Sequence, residues 1–301
     1  GEYEAIATQN GEIIDESLLA NDPGFMIPND QIEATGVTLN YNLSENASVT
    51  TAYYDGSWYE PGESKIISSM LNSGSDFSLL QTGPNPSQIP PYENSSADAR
   101  MEGVFTSTIS GNNGEDVTKE RAPGWVDISD EKWGVTIGFQ SFFEEYPKEI
   151  KVDDSQNKLT AYFWSPSVEP LSFAKKDNNN DSGMIGNYAQ GLAKTTEMVI
   201  NFHNRSTSAE VEKEANMFMD SPVTHATPEW YAASEAFGKM SAGLEKYATY
   251  ERGLDYKFQW MKFNQEWEPW YGMLNYGDNL TYFYGYEWFQ WTNNEPGNDY
   301  M

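Results

Sequence analysis

The stretch WGVTIGFQSFF, residues 133–143, sets the strongest constraint on how this chain can fold. In an extended backbone, Trp133, Val135, Ile137 and Phe139 fall on one face, and Gly134, Thr136, Gly138 and Gln140 on the other. A period of two over this length describes a strand and not a helix. Similar β-branched or aromatic runs recur as GVTLNYNLS, ASVTTAYYDGSWY and EGVFTSTIS, and as KLTAYFW at 158–164. In GLAKTTEMVINFHN, residues 191–204, Met198, Ile200 and Phe202 alternate with Glu197, Val199, Asn201 and His203. Turn signals separate these runs: the Pro- and Ser-rich stretch 84–98, GNNGED, Tyr146-Pro147-Lys148, Ser165-Pro166, and KKDNNNDSG at 175–183. Short strands between regular turns predict an antiparallel β-sandwich over residues 1–206.

The period changes near residue 207. STSAEVEKEANMFM reads as a helix. Thr227 before Pro228 is a helix start, an N-cap followed by proline at the first helical position. Trp230, Ala233, Phe237, Met240, Leu244 and Tyr247 then recur at three- and four-residue steps, which predicts an amphipathic helix. A second helical stretch, YERGLDYKFQWMKF, follows or continues it. The glycine-broken, aromatic segment after it is expected to be a loop with short elements. The fold class is therefore mainly β with a helical C-terminal part, the helical segment and its aromatic-rich tail occupying residues 207–301.

Composition narrows the function. With 46 acidic against 18 basic residues, the net charge of −28 opposes binding to nucleic acid or anionic membranes. An anionic substrate would need a locally basic site or a cation. There are no cysteines, which excludes disulfides, thiol catalysis and cysteine zinc sites. The only imidazoles are His203 and His225, so a multi-histidine metal centre is not expected. No run approaches the roughly 20 apolar residues of a membrane span. Aromatic residues make up 15% of the chain. They fill cores and β-sheet faces, and they also stack on sugar rings.

Four stretches in order carry a resemblance. WGVTIGFQSFFEEYPKEIKV, then KLTAYFWSP and GLAKTTEMVI, resemble the central β-sandwich of the exo-rhamnogalacturonan lyase family, also called YetA-like. The tail LNYGDNLTYFYGYEWFQWTNNEPGND resembles the start of that family's α/α-toroid domain. The resemblance spans about residues 100–301. It departs from the family pattern at Thr196, where a histidine is expected, at Thr292, where an acidic residue is, and at Pro296, where an aromatic is. It implies a large secreted enzyme, at the cell surface or in the periplasm, that cleaves acidic, rhamnose-containing polysaccharides by β-elimination, with ulvan lyases similar in organisation. It also implies that this chain is one piece of a longer enzyme and that its toroid is incomplete.

Such a lyase must neutralise a uronate carboxylate, remove the α-proton and protonate the leaving oxygen. His203, Tyr286 and Lys194 are the candidates for proton transfer and local positive charge. Asn293, Asn294 and Glu295 offer polar contacts to a sugar, Trp288 and Trp291 offer stacking platforms, and Arg205 adds a cation. Each has a blander reading: Asn-Asn-Glu-Pro-Gly is a good turn, and the tryptophans suit a core. His225, just before a helix, is the other imidazole open to the same two readings as His203. The acidic loops 153–157 and 177–181 resemble calcium ligands without EF-hand spacing, so calcium is a candidate cofactor and no metal ligand is assigned. Two alternatives stand beside the lyase. One is a non-catalytic carbohydrate-binding or structural sandwich module. The other is a glycoside hydrolase using Asp278, Glu287 or Glu295, which needs two carboxyls about 5 to 10 Å apart.

Overall fold

The protein is described by a computed structural model covering residues 8–9, 12–13, 31–32, 35–43, 46–57, 62–71, 76–83, 105–112, 115–168, 171–172, 195–204, 206–219, 224–243, 247–267, 278–283 and 288–293. Two-residue strands β1 (Thr8–Gln9), β2 (Glu12–Ile13) and β3 (Gln31–Ile32) come first. The sandwich strands are β4 (Thr35–Asn40), β5 (Ser48–Tyr54), β6 (Ser64–Met70), β7 (Asp76–Thr82), β8 (Thr106–Asn112), β9 (Glu115–Lys119), β10 (Trp125–Ser129), β11 (Trp133–Phe139), β12 (Lys148–Asp153) and β13 (Lys158–Trp164). After β14 (Leu171–Ser172) comes the last sandwich strand, β15 (Met198–Asn204). Helices α1 (Ser208–Met219), α2 (Pro228–Ser234) and α3 (Ala248–Trp267) precede the hairpin β16 (Asp278–Phe283) and β17 (Trp288–Asn293).

A five-stranded sheet, ordered β15-β11-β10-β5-β6, faces a six-stranded sheet, ordered β4-β13-β12-β7-β8-β9. Every pairing is antiparallel. The alternation read from the sequence decides what lies between them. Val49, Val126, Ile128, Val135, Ile137 and Phe139 from the first sheet share one buried cluster with Phe77, Leu79, Ile109, Ile150, Val152 and Leu159 from the second. Fully burying one such side chain contributes about 1.5–3 kcal/mol.

A smaller cluster occupies the outer face of the five-stranded sheet. There α1 lays Val211 and Ala215 against Ala52 and Trp125, with Met219 packed beside them. The helix starts with a capping box. The Thr207 N–H donates to Glu210 Oε2 at 2.8 Å, and the Glu210 N–H donates to Thr207 Oγ1 at 3.3 Å. The sheet admits Met219 because residue 138 is glycine: a Cβ there would lie 2.5 Å from Met219 Cε.

The C-terminal part departs from the sequence reading at the helix after Thr227. Thr227 caps α2 as expected, its Oγ1 accepting from the Trp230 N–H at 3.3 Å with Pro228 in the first turn. The helix nevertheless stops at Ser234, because Glu235 turns left-handed (φ 51°) and Gly238 and Gly243 follow with φ near 87° and 86°. Left-handed residues break the i→i−4 ladder, so Phe237, Met240 and Tyr247 do not continue one apolar stripe and stand 74%, 50% and 49% exposed. The short elements expected in the aromatic segment are a hairpin, β16–β17, in register from Asp278 opposite Asn293 to Phe283 opposite Trp288. Its Thr-, Tyr-, Phe- and Trp-rich strands suit a pleated pair. Among the described residues no helix is long and apolar enough to cross a membrane.

Ile137→Ala is expected to cost about 2–5 kcal/mol in urea unfolding. Phe237→Ala, at an exposed position, is expected to stay within about 0.5 kcal/mol. Gly253→Ala, in the middle of α3 with open space around its Cβ, is expected to stabilise the helix by up to about 1 kcal/mol, read as greater helicity by circular dichroism.

Candidate functional site

The polar side chains that the fold brings together lie on the outer face of the five-stranded sheet. Strand β10 sends Val126 and Ile128 into the core, so Trp125, Asp127 and Ser129 face outward. The registers Asp127↔Thr136 and Gly134↔His203 then bring one residue each from β10 and β15 to the flanks of β11. His203 Nε2 donates to Asp127 Oδ1 at 2.8 Å, and Thr136 Oγ1 donates to the same oxygen at 2.8 Å. Ser129 Oγ donates to Asp127 Oδ2 at 2.5 Å. The His203 side chain is 8% exposed and that of Asp127 4%.

The second ring nitrogen also meets an acceptor. His203 Nδ1 lies 2.7 Å from the backbone carbonyl of Asn204. A carbonyl oxygen and a carboxylate both accept, so the protonated ring, which donates from each nitrogen, satisfies both contacts at once. Its pKa is raised. Burial alone would lower it, and the hydrogen bonds to Asn204 and Asp127 with the charges of Asp127 and Glu214 overcome that. Both ring nitrogens are thus engaged with protein acceptors. Gly134 makes room for the ring: a Cβ at that position would lie 2.6 Å from His203 Cε1 and 2.1 Å from Ser129 Oγ.

A second concentration of charge lies where the chain crosses between the sheets, at residues 140–147. Lys148, fully buried, donates to Glu145 Oε2 at 2.6 Å and sits over the Phe139 ring at 5.2 Å. The Arg121 guanidinium lies between the Tyr54 and Phe143 rings, at 5.8 and 5.2 Å, and donates to the Ser57 carbonyl. Glu144 is partly exposed by area yet densely surrounded, and burial pushes its carboxyl up to about 7 against the downward pull of its backbone hydrogen bond, Lys148 and Arg121.

The structure separates the residues nominated from the sequence. His203 faces away from Phe202 as expected, but it points at Asp127 under cover. Trp288, Trp291 and Asn293 lie on β17, opposite Phe283, Leu280 and Asp278. Lys194, Arg205, Tyr286, Asn294 and Glu295 lie outside the described residues. His225 is exposed, its Nδ1 donating to the Ala226 carbonyl at 3.2 Å. Of the two acidic loops, 153–157 is a hairpin turn: Asp153 accepts from Ser155 Oγ and the Gln156 N–H, and Asp154 accepts from Tyr41 Oη. The other, 177–181, lies outside the described residues. Among the described residues, no three His, Cys, Asp or Glu side chains form a group able to hold a metal.

The sequence reading missed Asp127, Thr136 and Glu144. A signal for Asp127 was available: a single carboxylate between Val126 and Ile128 in WVDIS has to be paired if that strand is central. Glu144 gave no such signal, since EEYP reads as an ordinary acidic turn.

Residues 115–216 match the family model described as "PcRGLX-like protein central beta sandwich domain". The chain is also 26% identical over 199 residues to "Uncharacterized protein YetA" of Bacillus subtilis (strain 168), covering 58% of this chain and 23% of that protein. The aligned part thus spans about a quarter of the curated relative's length.

Gly134→Ala is expected to destabilise by about 1–3 kcal/mol through overpacking against the His203 ring, measured by urea unfolding. Glu144 binds its proton more tightly folded than unfolded, so its contribution falls as pH rises from its ordinary value toward about 7. Glu144→Gln is therefore expected to raise the thermal midpoint above that pH and to leave it little changed below about 4.5, read by calorimetry across pH.

Proposed function

We propose that this chain, whose residues 115–216 match the PcRGLX-like central β-sandwich family, is part of a polysaccharide lyase acting on an acidic, uronate- and rhamnose-containing polymer. The observation that carries this reading is the span of the match. It includes β9 to β13, β15 and most of α1, and hence Asp127, Thr136, His203 and the 140–147 crossover. It leaves the activity of the whole enzyme to a longer chain. Function at the cell surface or in the periplasm, outside the cytoplasm, accords with a polymeric substrate.

The reaction is a β-elimination. A base takes the proton α to the uronate carboxylate, the electron pair forms the C4=C5 double bond, and the C4–O bond breaks. The leaving oxygen takes a proton, giving an unsaturated uronate and a new chain end. Neutralising the carboxylate makes the α-proton acidic. Lys194 and Arg205 would supply positive charge, and Asn293, Asn294 and Glu295 polar contacts. Trp288 and Trp291 would supply sugar platforms. Tyr286 is assigned the proton transfers. Both His203 ring nitrogens are engaged beneath the surface, by Asp127 and the Asn204 carbonyl, so the residue is assigned a positioning role and not that of the base.

A module that binds polysaccharide without turnover is the second reading, and the burial of His203 favours it. Absorbance near 235 nm reports the conjugated alkene left when the α-proton is removed. With rhamnogalacturonan, ulvan and alginate offered separately, a rise with rhamnogalacturonan or ulvan and its loss in Tyr286→Phe is the expected result. A flat trace with retained pull-down of polymer would assign the binding module. New reducing ends without absorbance would assign a hydrolase.

A further inference from the structure

We propose that the outer edge of β15 is a pairing surface for the same strand of a second copy of this chain, the two strands running antiparallel about a two-fold axis at Asn201. The inference does not depend on the lyase reading. It rests on what the fold leaves uncovered at that edge and on how the strand complements itself.

Ile200 and Phe202 stand opposite Ile137 and Val135 of β11, so they point to the side of the sheet that forms the core. Ile137 and Val135 are buried, yet Ile200 is 36% and Phe202 69% exposed. Among the described residues β15 has a strand neighbour on its β11 side alone. Helix α1 packs over β11, β5 and β6, on the other side of the edge strand from its outer rim. The apolar face of the sheet therefore runs one strand beyond its cover. Along such a rim every second N–H and C=O is directed away from the neighbouring strand, ready to pair with another chain.

The other three edges of the sandwich each carry a feature that opposes pairing. Strand β6 carries Lys65, and β9 carries Asp116 and Lys119. The pairing of β4 with β13 is broken by a register shift between Tyr162 and Trp164. Strand β15 has none of these. It runs in unbroken register with β11, from Met198 opposite Phe139 to Asn204 opposite Trp133. MVINFHN holds no proline, lysine, arginine or carboxylate, in a chain of net charge −28. A second copy of this strand meets it without a like charge on the rim. With Asn201 opposite Asn201 of the second copy, Ile200 falls opposite Phe202 of that copy, on the core side, and Phe202 opposite its Ile200. An aromatic residue beside a β-branched one is a favourable cross-strand pair, and the two-fold axis makes the pair twice. One repulsion is built in. Glu214 Oε2 accepts from Asn201 Nδ2 at 2.8 Å, so an axis at Asn201 brings the two Glu214 carboxylates toward each other.

Sedimentation velocity of the 301-residue chain tests the proposal. A reversible monomer–dimer equilibrium is expected, tightening between about 0.05 and 0.5 M NaCl as the charge of two acidic copies is screened. Phe202→Lys is expected to weaken it by about tenfold or more. The thermal midpoint should stay unchanged, because the position is exposed in the monomer. Glu214→Gln is expected to tighten the dimer by about two- to fourfold. Glu131→Gln, the same change of charge at the exposed β10–β11 turn, is expected to leave it as it was. The chain has no cysteine, so single spin labels can be placed at will. A label at Asn216→Cys on α1 is expected to give a shorter distance between copies than one at Asp116→Cys on β9, which lies on the β5 side of the sandwich, where Lys119 bonds Asp55. A monomer at every salt concentration would overturn the proposal. So would a dimer indifferent to Phe202→Lys, and its loss with Tyr256→Glu would then assign the association to the exposed aromatic residues of α3.

Discussion

The pleat of one central strand organises this domain. Every second residue of Trp133–Phe139 enters the core between the sheets, and the residues between them must build the opposite face. That face has glycine at 134 and 138 and threonine at 136, so it offers space and one hydroxyl where the inner face offers bulk. Met219 of the helix fills the space over Gly138, and the His203 ring that over Gly134. A helix and a buried ion pair can share this surface only because the strand presents so little there.

The same surface explains how a strongly acidic chain keeps a carboxylate inside. Asp127 is not stabilised by the general field, which is negative. It is held by three donors, from Thr136, Ser129 and His203. Truncating one partner of such a pair leaves an uncompensated group, which costs far more than the pair contributes over an apolar replacement. The pair therefore fixes geometry more than it adds stability. It ties the edge strand β15 to β10 across β11, beyond what the backbone ladder provides.

The crossover at residues 140–147 solves a related problem at the other end of β11. Lys148 is fully buried, and it is accommodated by Glu145 and the Phe139 ring. Arg121 is stacked between Tyr54 and Phe143. Cations in this chain are few, and these two are placed where the two sheets join.

The sequence by itself determined strands β4, β5, β8, β11, β13 and β15, the first helix and the cap at Thr227, because each rests on a local period or a local hydrogen bond; β6, β7, β9 and β10 carry no such clear alternation. It also determined that His203 lies on the face opposite Phe202. Only the tertiary structure decided what that face meets. Asp127 and His203 are 76 residues apart, and strand order, which no local pattern encodes, is what places both beside Thr136. The early end of α2 and the β16–β17 hairpin were likewise beyond the pattern. Apolar residues at helical spacing do not reveal a left-handed residue at 235, and an aromatic run broken by glycine fits a loop and a hairpin equally well. Local chemistry fixes which side of an element is apolar, whereas the pairing of distant strands fixes which polar groups are forced together.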